Sequence, residues 1–326
     1  MGKASRTKQA PDRRARIAAQ REAERRAAMV KRIYLAGGAV LAVVIVVVAL
    51  VLVNLGKSGG TAATASNGPT GAALTSLTQK VTGVPATVTD KVAGGGVPAE
   101  IIVPGTTGTE VQNAISNLGS FMATVNGKPQ TVNGKPEVLY IGAEYCPYCA
   151  AQRWAMINSL SRFGTFTGLT TTHSSVTDAY ADTPTWTFYG SKYSSPYIQF
   201  TPVETTTNER QGNSSNTNTP YVTLQTPTSA QNALWQAYDP EGSIPYINLG
   251  GKYIQEGNLS PLQPGLIQKL TWEQVATDMN DPTSSVGKAL IGNANYMTAA
   301  ICNLTGNKPA TACTPTIQAI AASLPK

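Results

Sequence analysis

Two cysteines separated by two residues, Cys146 and Cys149, are the residues whose spacing most directly suggests chemistry. A C-x-x-C pair either exchanges electrons as a dithiol and disulfide or supplies half of a zinc site. Zinc requires four ligands, yet Cys302 and Cys313 are eleven positions apart and the chain has one histidine, His173. The pattern favours redox exchange without metal or cofactor, and a structural disulfide is the remaining alternative.

The elements around the motif are predicted to place its first sulfur at the start of a helix. Val138 to Gly142 is a short apolar run that predicts a buried strand, and Ala150 to Phe163 predicts a helix. Cys146 is then the N-cap and Pro147 the first helical residue. Free backbone N–H groups and the helix dipole favour the thiolate of Cys146. Cys149, on the same helix face, is placed to attack a mixed disulfide on Cys146.

The N-terminal part of the chain predicts a membrane anchor. Residues 1–32 contain eleven Lys or Arg and three acidic residues, whereas the other 294 residues carry 14 basic and 15 acidic ones. Ile33 to Val53 is uncharged and apolar, and about 20 such residues cross a hydrocarbon core. Because positive flanks stay in the cytoplasm, we expect residues 33–55 to be a signal anchor at the cell membrane, with an extracytoplasmic C-terminal domain. A cleaved signal peptide is the rival interpretation.

The distribution of charge also bears on partners. Since the basic residues are concentrated in the cytoplasmic tail, the pI of about 9.2 does not indicate a nucleic-acid-binding domain. Residues 56–96 are predicted to be a flexible linker followed by a weakly ordered approach segment, for which packing on the domain is the alternative. The extracytoplasmic domain is predicted to occupy residues 97–326, including a helical C-terminal extension.

Within that domain the pattern alternates strands and helices, which is typical of an α/β fold. Two Asn-Gly turns, in residues 125–129 and 132–136, predict a hairpin. The Thr- and Ser-rich region 177–229 contains a predicted strand at Tyr197 to Val203 and a predicted polar surface loop at 208–219. Further helices and a hairpin are predicted at 110–118, 229–238, 244–255, 272–279, 284–304 and 315–324.

Several segments of the sequence resemble those of an uncharacterised family of membrane-anchored thioredoxin-like proteins. They are Val138 to Cys149 with Ala151 to Ala155, Ser161 to Phe166, Thr183-Pro184, Ser195 to Tyr197, Gly242 to Tyr246 and Thr298 to Cys302. The resemblance implies a thioredoxin-like α/β domain, with an insertion between the CxxC helix and the cis-proline strand, plus one N-terminal transmembrane helix. It also implies that Cys146 is the nucleophile, Cys149 the resolving cysteine and Pro245 a cis-proline facing them, with Ile244 and Tyr148 contacting the substrate chain.

The sequence departs from the thioredoxin pattern in two ways. The buried aspartate that thioredoxins carry six residues before the first cysteine is replaced by Tyr140, and the interval from the motif to Pro245 is about twice the usual length. Glu144 is either a substitute carboxyl or a solvated one. Arg153 either adds positive potential near the thiolates or is a solvated helix arginine. His173 is predicted to be an edge histidine rather than a catalytic base.

The second pair of cysteines, Cys302 and Cys313, is predicted to form a structural disulfide, because an even number of cysteines is typical of exported domains. A second dithiol that relays electrons is the alternative. The main functional prediction is a membrane-anchored thiol–disulfide oxidoreductase that acts on exported proteins and exchanges electrons with a membrane redox partner. A thioredoxin-fold binding or assembly module without turnover is the second hypothesis. A Cu(I)-delivery protein is the third, although no methionine cluster lies beside the motif.

Overall fold

The computed structural model describes four ranges of the chain, residues 68–94, 123–124, 128–255 and 262–324. Some predictions fall outside these residues, namely the tail at 1–32, the membrane span at 33–55, the helix at 110–118 and the Asn126-Gly127 turn. Within the four ranges, no helix is both long and apolar enough to cross a bilayer. The described part is a mixed α/β domain.

The central strand of the main sheet, β3 (Lys135–Gly142), leads directly to the cysteine motif. It starts from a hairpin with β2 (Thr131–Val132), whose turn residues Asn133 and Gly134 have φ of 51° and 75°. These left-handed conformations suit Asn-Gly, so the prediction of a turn here is confirmed. From Val138 onward β3 is buried on both faces, because alternate residues enter two different clusters of the core.

The strands next to β3 run in different directions. On one side β8 (Gln199–Glu204) lies parallel to β3. On the other side β11 (Tyr246–Leu249) lies antiparallel, followed by β12 (Tyr253–Gln255) and then β1 (Ala123–Thr124). The ends of β3 and β8 and the start of β11 therefore meet at one edge of the sheet, where the motif begins.

One face of the sheet is covered by helices. The motif helix α3 (Pro147–Ser161) is buried over nearly its whole length and packs against α6 (Ser285–Thr305). Polar contacts join the two helices, among them Ser159 Oγ with Thr298 Oγ1 at 3.0 Å. As predicted, α6 begins after Ser284, whose hydroxyl accepts a hydrogen bond from the backbone N–H of Gly287. The packing of α3 against α6 is therefore reinforced by hydrogen bonds between buried side chains.

Two helices lie before residue 97, at which the extracytoplasmic domain was predicted to begin. Residues 71–92 form α1 (Gly71–Thr82) and α2 (Ala86–Val92), which belong to the core rather than to a weakly ordered segment. Leu77 and Val81 are fully buried, and the Asn158 side chain donates to the Val81 carbonyl at 2.9 Å. The i, i+3 and i+7 spacing of Leu74, Leu77 and Val81 is the pattern in the sequence that is typical of such a helix.

The region 177–229 is more regular than expected. Its strand β8 is part of the main sheet, and β9 (Thr206–Arg210) pairs with β10 (Tyr221–Thr223) as a hairpin. The predicted polar loop at 208–219 overlaps the end of β9, and the remainder of it is the mostly exposed connection between these two strands. Tyr221, which is half-buried, and Val222, which is exposed, are residue types that favour a strand there. Two small antiparallel pairs precede β8. They are β4 (Thr165–Thr167) with β7 (Lys192–Ser194), and β5 (Thr170–His173) with β6 (Pro184–Thr187).

Three further helices complete the described residues: α4 (Ser229–Tyr238), α5 (Trp272–Met279) and α7 (Pro315–Ser323). The N-cap of α4 is Thr228, and its capping box with Gln231 includes the bond from the Gln231 N–H to the Thr228 hydroxyl at 3.2 Å. The disulfide between Cys302 and Cys313 is present, which confirms the predicted pairing. It ties the end of α6 to the start of α7.

Candidate functional site

The Cys-Pro-Tyr-Cys segment joins the end of β3 to the start of α3. Cys146 is the N-cap and Pro147 the first helical residue, as predicted. The backbone N–H of Cys149 donates to Cys146 Sγ at 3.3 Å, and the N–H of Cys146 donates to the Ala143 carbonyl at 3.3 Å. Both thiols are free; Cys146 is 5% exposed and Cys149 is 0% exposed. Cys146 is therefore the sulfur that an incoming group meets first.

The two thiols differ in the direction of their pKa shift. Burial raises the pKa of Cys146, but hydrogen bonds from Cys149 and the positive charge of Arg153 outweigh it, so that this pKa is lowered. At Cys149 burial and the interaction with the Cys146 sulfur act together and hold the pKa well above its ordinary value. The pair therefore has one sulfur suited to be a thiolate nucleophile and one that keeps its proton until later.

The segment before β11 lies against the first sulfur. The Ile244–Pro245 peptide bond is cis, as expected for Pro245. Pro245 is buried and Ile244 is half-buried. Cys146 Sγ lies 3.8 Å from the carbonyl oxygen of Ile244. The structure thus brings Pro245 and Ile244 to the cysteines, while contacts of Ile244 and Tyr148 with a substrate stay predictions.

A buried ion pair lies beneath the motif. Arg153 is one turn beyond Cys149 and is 0% exposed. Its Nε and Nη2 donate to the two carboxylate oxygens of Glu204 at 2.8 and 2.7 Å. Nη2 also donates to the Ala143 carbonyl at 2.7 Å. Glu204 ends β8 directly opposite Gly142, so the pair is enclosed at the sheet edge, and the interpretation of Arg153 as a solvated arginine is wrong.

Glu144 is also enclosed, so its interpretation as a solvated carboxylate is wrong. It is 9% exposed, and its backbone N–H donates to the Thr206 carbonyl at 3.0 Å. Burial raises the pKa of the Glu144 carboxyl, although a hydrogen bond with Thr187 and the charge of Arg153 act in the opposite direction. Because the β9 backbone holds this residue, Glu144 is fixed between the motif and the β9–β10 hairpin.

Tyr140, which stands at the position of the thioredoxin aspartate, is fully buried. Its ring packs edge-on to Phe188 at 5.2 Å between centroids, and the Arg153 guanidinium carbon lies 6.0 Å from the ring centroid. Its hydroxyl has no hydrogen-bond partner among the described residues. Burial raises the pKa of the phenol well above its ordinary value. Tyr140 is therefore a neutral core residue and does not reproduce a carboxylate.

Aromatic side chains surround the motif on the side of the β9–β10 hairpin. Tyr145 stacks on Tyr221 with 4.1 Å between centroids, and the Arg210 guanidinium lies 4.1 Å from the Tyr221 ring on β10. Tyr148, inside the motif, meets the edge of Tyr180 at 6.1 Å. The region 177–229 therefore packs against the cysteine turn itself rather than lying apart from it.

His173 has satisfied polar contacts at the end of β5. Its Nδ1 lies 2.9 Å from the Ser174 carbonyl and 3.0 Å from the Asp182 carboxylate, which fits the predicted edge histidine. Across the described part of the chain, no three His, Cys, Asp or Glu side chains are grouped so that they could hold a metal ion.

A family model described as "Domain of unknown function (DUF929)" matches residues 122–303, more than half of the chain. The chain belongs to this family. The expected membership of an uncharacterised family is thus confirmed. No curated protein and no solved structure matches the chain. The DUF929 segment runs from β1 nearly to the end of α6, so it contains both motif cysteines, Pro245 and the Arg153–Glu204 pair.

In this DUF929 domain, Glu204 and the Tyr145–Tyr221 stack were not predicted from the sequence. A signal for Glu204 was available. An acidic residue directly follows the predicted apolar strand Tyr197 to Val203, and the carboxyl ends of parallel strands meet at one sheet edge. No comparable signal marked Tyr221, because a tyrosine in a Thr- and Ser-rich region is unremarkable without the hairpin.

Proposed function

We propose that this protein is a thiol–disulfide oxidoreductase whose reacting groups are Cys146 and Cys149. The observation that carries the proposal is the environment of Cys146 Sγ. It accepts the Cys149 N–H at 3.3 Å at a helix N-terminus and lies 3.8 Å from the Ile244 carbonyl next to the cis Pro245. An inert structural cysteine has no need of a helix N-terminus that stabilises its thiolate.

The proposed reaction consists of two exchanges. The Cys146 thiolate attacks one sulfur of a substrate disulfide, which forms a mixed disulfide and releases the other substrate sulfur as a thiolate. Cys149 then loses its proton and attacks Cys146 Sγ. The Cys146–Cys149 disulfide forms and the substrate leaves as a dithiol, having gained two electrons. The reverse sequence oxidises a substrate dithiol, and the geometry serves both directions.

The order of strands supports a thioredoxin-like fold for this domain. The strand that precedes the cysteines is central, a parallel strand lies on one side, and two antiparallel strands lie on the other side directly after the cis-proline. The motif helix follows the central strand. We infer that β8 supplies the parallel strand of such a fold and that the β9–β10 hairpin and α4 are additions between it and the cis-proline.

We further propose that the substrates are exported polypeptides and that the domain is held outside the membrane by the predicted anchor at residues 33–55. Large apolar side chains support a polypeptide substrate, because Val176 is 57% exposed and Val222 is 40% exposed. Val176 follows Ser175, whose N–H bonds to the Tyr145 carbonyl, and Val222 follows Tyr221. Both valines thus adjoin residues that contact the cysteine turn. A membrane redox partner would supply or remove the electrons.

The test is to trap the mixed disulfide. Cys149→Ser removes the resolving thiol, so this variant, incubated with a polypeptide that has one disulfide, is expected to accumulate a covalent complex that reductant dissolves. Cys146→Ser is the matched control, and it should form no complex because Cys149 is buried. If Cys149→Ser forms no complex while remaining folded, the second hypothesis, a binding or assembly module without turnover, replaces the enzyme.

A further inference from the structure

The backbone turn that leads into the motif is attached to a buried ion pair. The Ala143 carbonyl accepts from the N–H of Cys146 at 3.3 Å and from Arg153 Nη2 at 2.7 Å. Both residues of the pair, Arg153 and Glu204, are 0% exposed. One guanidinium nitrogen, Nη1, has no hydrogen-bond partner among the described residues. The arginine is therefore held by Glu204 and Ala143 and still has a free donor in an enclosed space.

We propose that Arg153 is a positioning residue for the disulfide exchange, which places a fixed positive charge beneath Cys146 and Cys149, and that Glu204 holds it there and limits its effect. This inference rests on the proposed function. At the position where thioredoxins carry an aspartate, this chain has Tyr140. We infer that the permanent positive charge of Arg153 influences the pKa values of the two cysteines instead.

The other ionisable groups around Arg153 are two carboxyls and a phenol, none of which can carry a positive charge. Tyr140 on β3 is neutral in its buried site, and Glu144 in the turn has a pKa raised by burial. Glu204 on β8 is occupied on both oxygens by Arg153, and its Oε1 also accepts from the Phe188 N–H at 3.4 Å. Arg153 is therefore the cationic group whose charge lowers the pKa values of the two cysteines.

The two charges of the pair have opposite consequences for the thiolate. A cation near the sulfurs stabilises the thiolate of the reduced form and has no thiolate to stabilise in the disulfide form. Arg153 should thus favour the dithiol and raise the reduction potential. Glu204, a nearby anion, should act in the opposite direction, although it also keeps the guanidinium in place. If the pair had only a structural role, substitution of Arg153 or of Glu204 would break the same contact. The pKa of Cys146 would then shift in the same direction in both variants.

The experiment uses this opposition of sign. In Arg153→Met the pKa of Cys146, followed by thiolate absorbance, is expected to rise, and the equilibrium constant with glutathione should shift about tenfold toward the disulfide, about 30 mV for a two-electron couple. In Glu204→Gln the pKa of Cys146 is expected to fall and the equilibrium to move toward the dithiol. Arg153→Lys, which keeps the charge, should stay closer to the parent than Arg153→Met.

The outcomes are decisive in either direction. Shifts of the same sign in Arg153→Met and Glu204→Gln, or no shift in either, would overturn the inference. If a single variant does not fold, the double variant Arg153→Met/Glu204→Met replaces the pair by apolar side chains, which proteins often tolerate. It is expected to fold with a raised Cys146 pKa, and an unchanged pKa would refute the proposal.

Two controls separate this inference from others. Glu273→Gln breaks an exposed ion pair with Lys80 on the surface, and it should leave the pKa of Cys146 unchanged. Trapping by Cys149→Ser does not depend on the sign test. A trapped complex together with same-sign shifts would therefore refute only the role of the ion pair. A pair that never titrates against glutathione would refute the proposed function.

Discussion

Removal of the Cys302–Cys313 disulfide should destabilise the domain without changing the exchange chemistry. The bond links residues with a sequence separation of 11. The chain-entropy relation for a loop of this length gives about 2.8 kcal/mol at 25 °C. Both sulfurs are also buried, at 0% and 1% exposure, so substitution by alanine adds a packing loss to this figure. We expect Cys302→Ala/Cys313→Ala to lose at least about 2.8 kcal/mol of unfolding free energy.

Urea denaturation provides the assay, with Cys302→Ala and Cys313→Ala as matched single variants. The cross-link is lost in each of the three proteins, so their free energies of unfolding should agree with one another to within about 1 kcal/mol rather than add. Mixed-disulfide trapping through Cys146 should be unchanged. A loss well below 1 kcal/mol would contradict the structural role. Unchanged stability together with a loss of substrate turnover would instead support the alternative of a second dithiol that relays electrons.

Three further predictions concern the core and the two thiols. Leu77→Ala, at a fully buried position of α1, should cost about 2–5 kcal/mol in urea unfolding, whereas Leu74→Ala, at a partly buried position, should cost less; equal, small losses would show that α1 is not part of the core. As pH is raised, Cys146 should be alkylated first and Cys149 only at higher pH, because the pKa of Cys146 is lowered and that of Cys149 is raised. Mass spectrometry after limited iodoacetamide treatment measures the order, and alkylation of Cys149 first would contradict the prediction. Tyr140→Phe should change unfolding free energy by less than about 1 kcal/mol, because the hydroxyl that it removes has no hydrogen-bond partner among the described residues; a large loss would reveal a partner.

The local features of the fold were predictable from the sequence because they depend on neighbouring residues. The N-cap at Cys146 with Pro147 behind it and the Asn133-Gly134 turn both lie where they were predicted from the sequence. Each of these follows from a side chain or backbone preference that acts over a few residues. The paired cysteines at the end of α6 belong to the same class, since their loop is short.

The features that were missed depend on residues far apart in the chain. Arg153 and Glu204 are 51 positions apart, and only the parallel register of β8 with β3 brings the carboxylate under the motif. Without knowing that β8 pairs with β3, the burial of an arginine on a predicted helix cannot be predicted from the sequence. The same holds for Tyr145 and Tyr221, which meet because the β9–β10 hairpin folds back onto the cysteine turn.

The helices at residues 71–92 were not predicted for a different reason. Residues 56–72 are rich in Gly, Ser and Thr, and residues 73–96 show only partial apolar alternation. The apolar residues of α1 are few, and each was outweighed by small and polar neighbours. Burial of Leu77 and Val81 against α3 and α5 supplies the stability that the local propensity lacks.

The central claim, that Cys146 and Cys149 exchange electrons, is tested most directly by the reduction potential of the pair. The full chain would be equilibrated with glutathione buffers, and the ratio of dithiol to disulfide at residues 146 and 149 would be measured by mass spectrometry after acid quenching. We predict a reversible two-electron titration between about −120 and −270 mV, the range of dithiol oxidoreductases. A disulfide that stays intact below about −300 mV would be a structural bond and would contradict the claim.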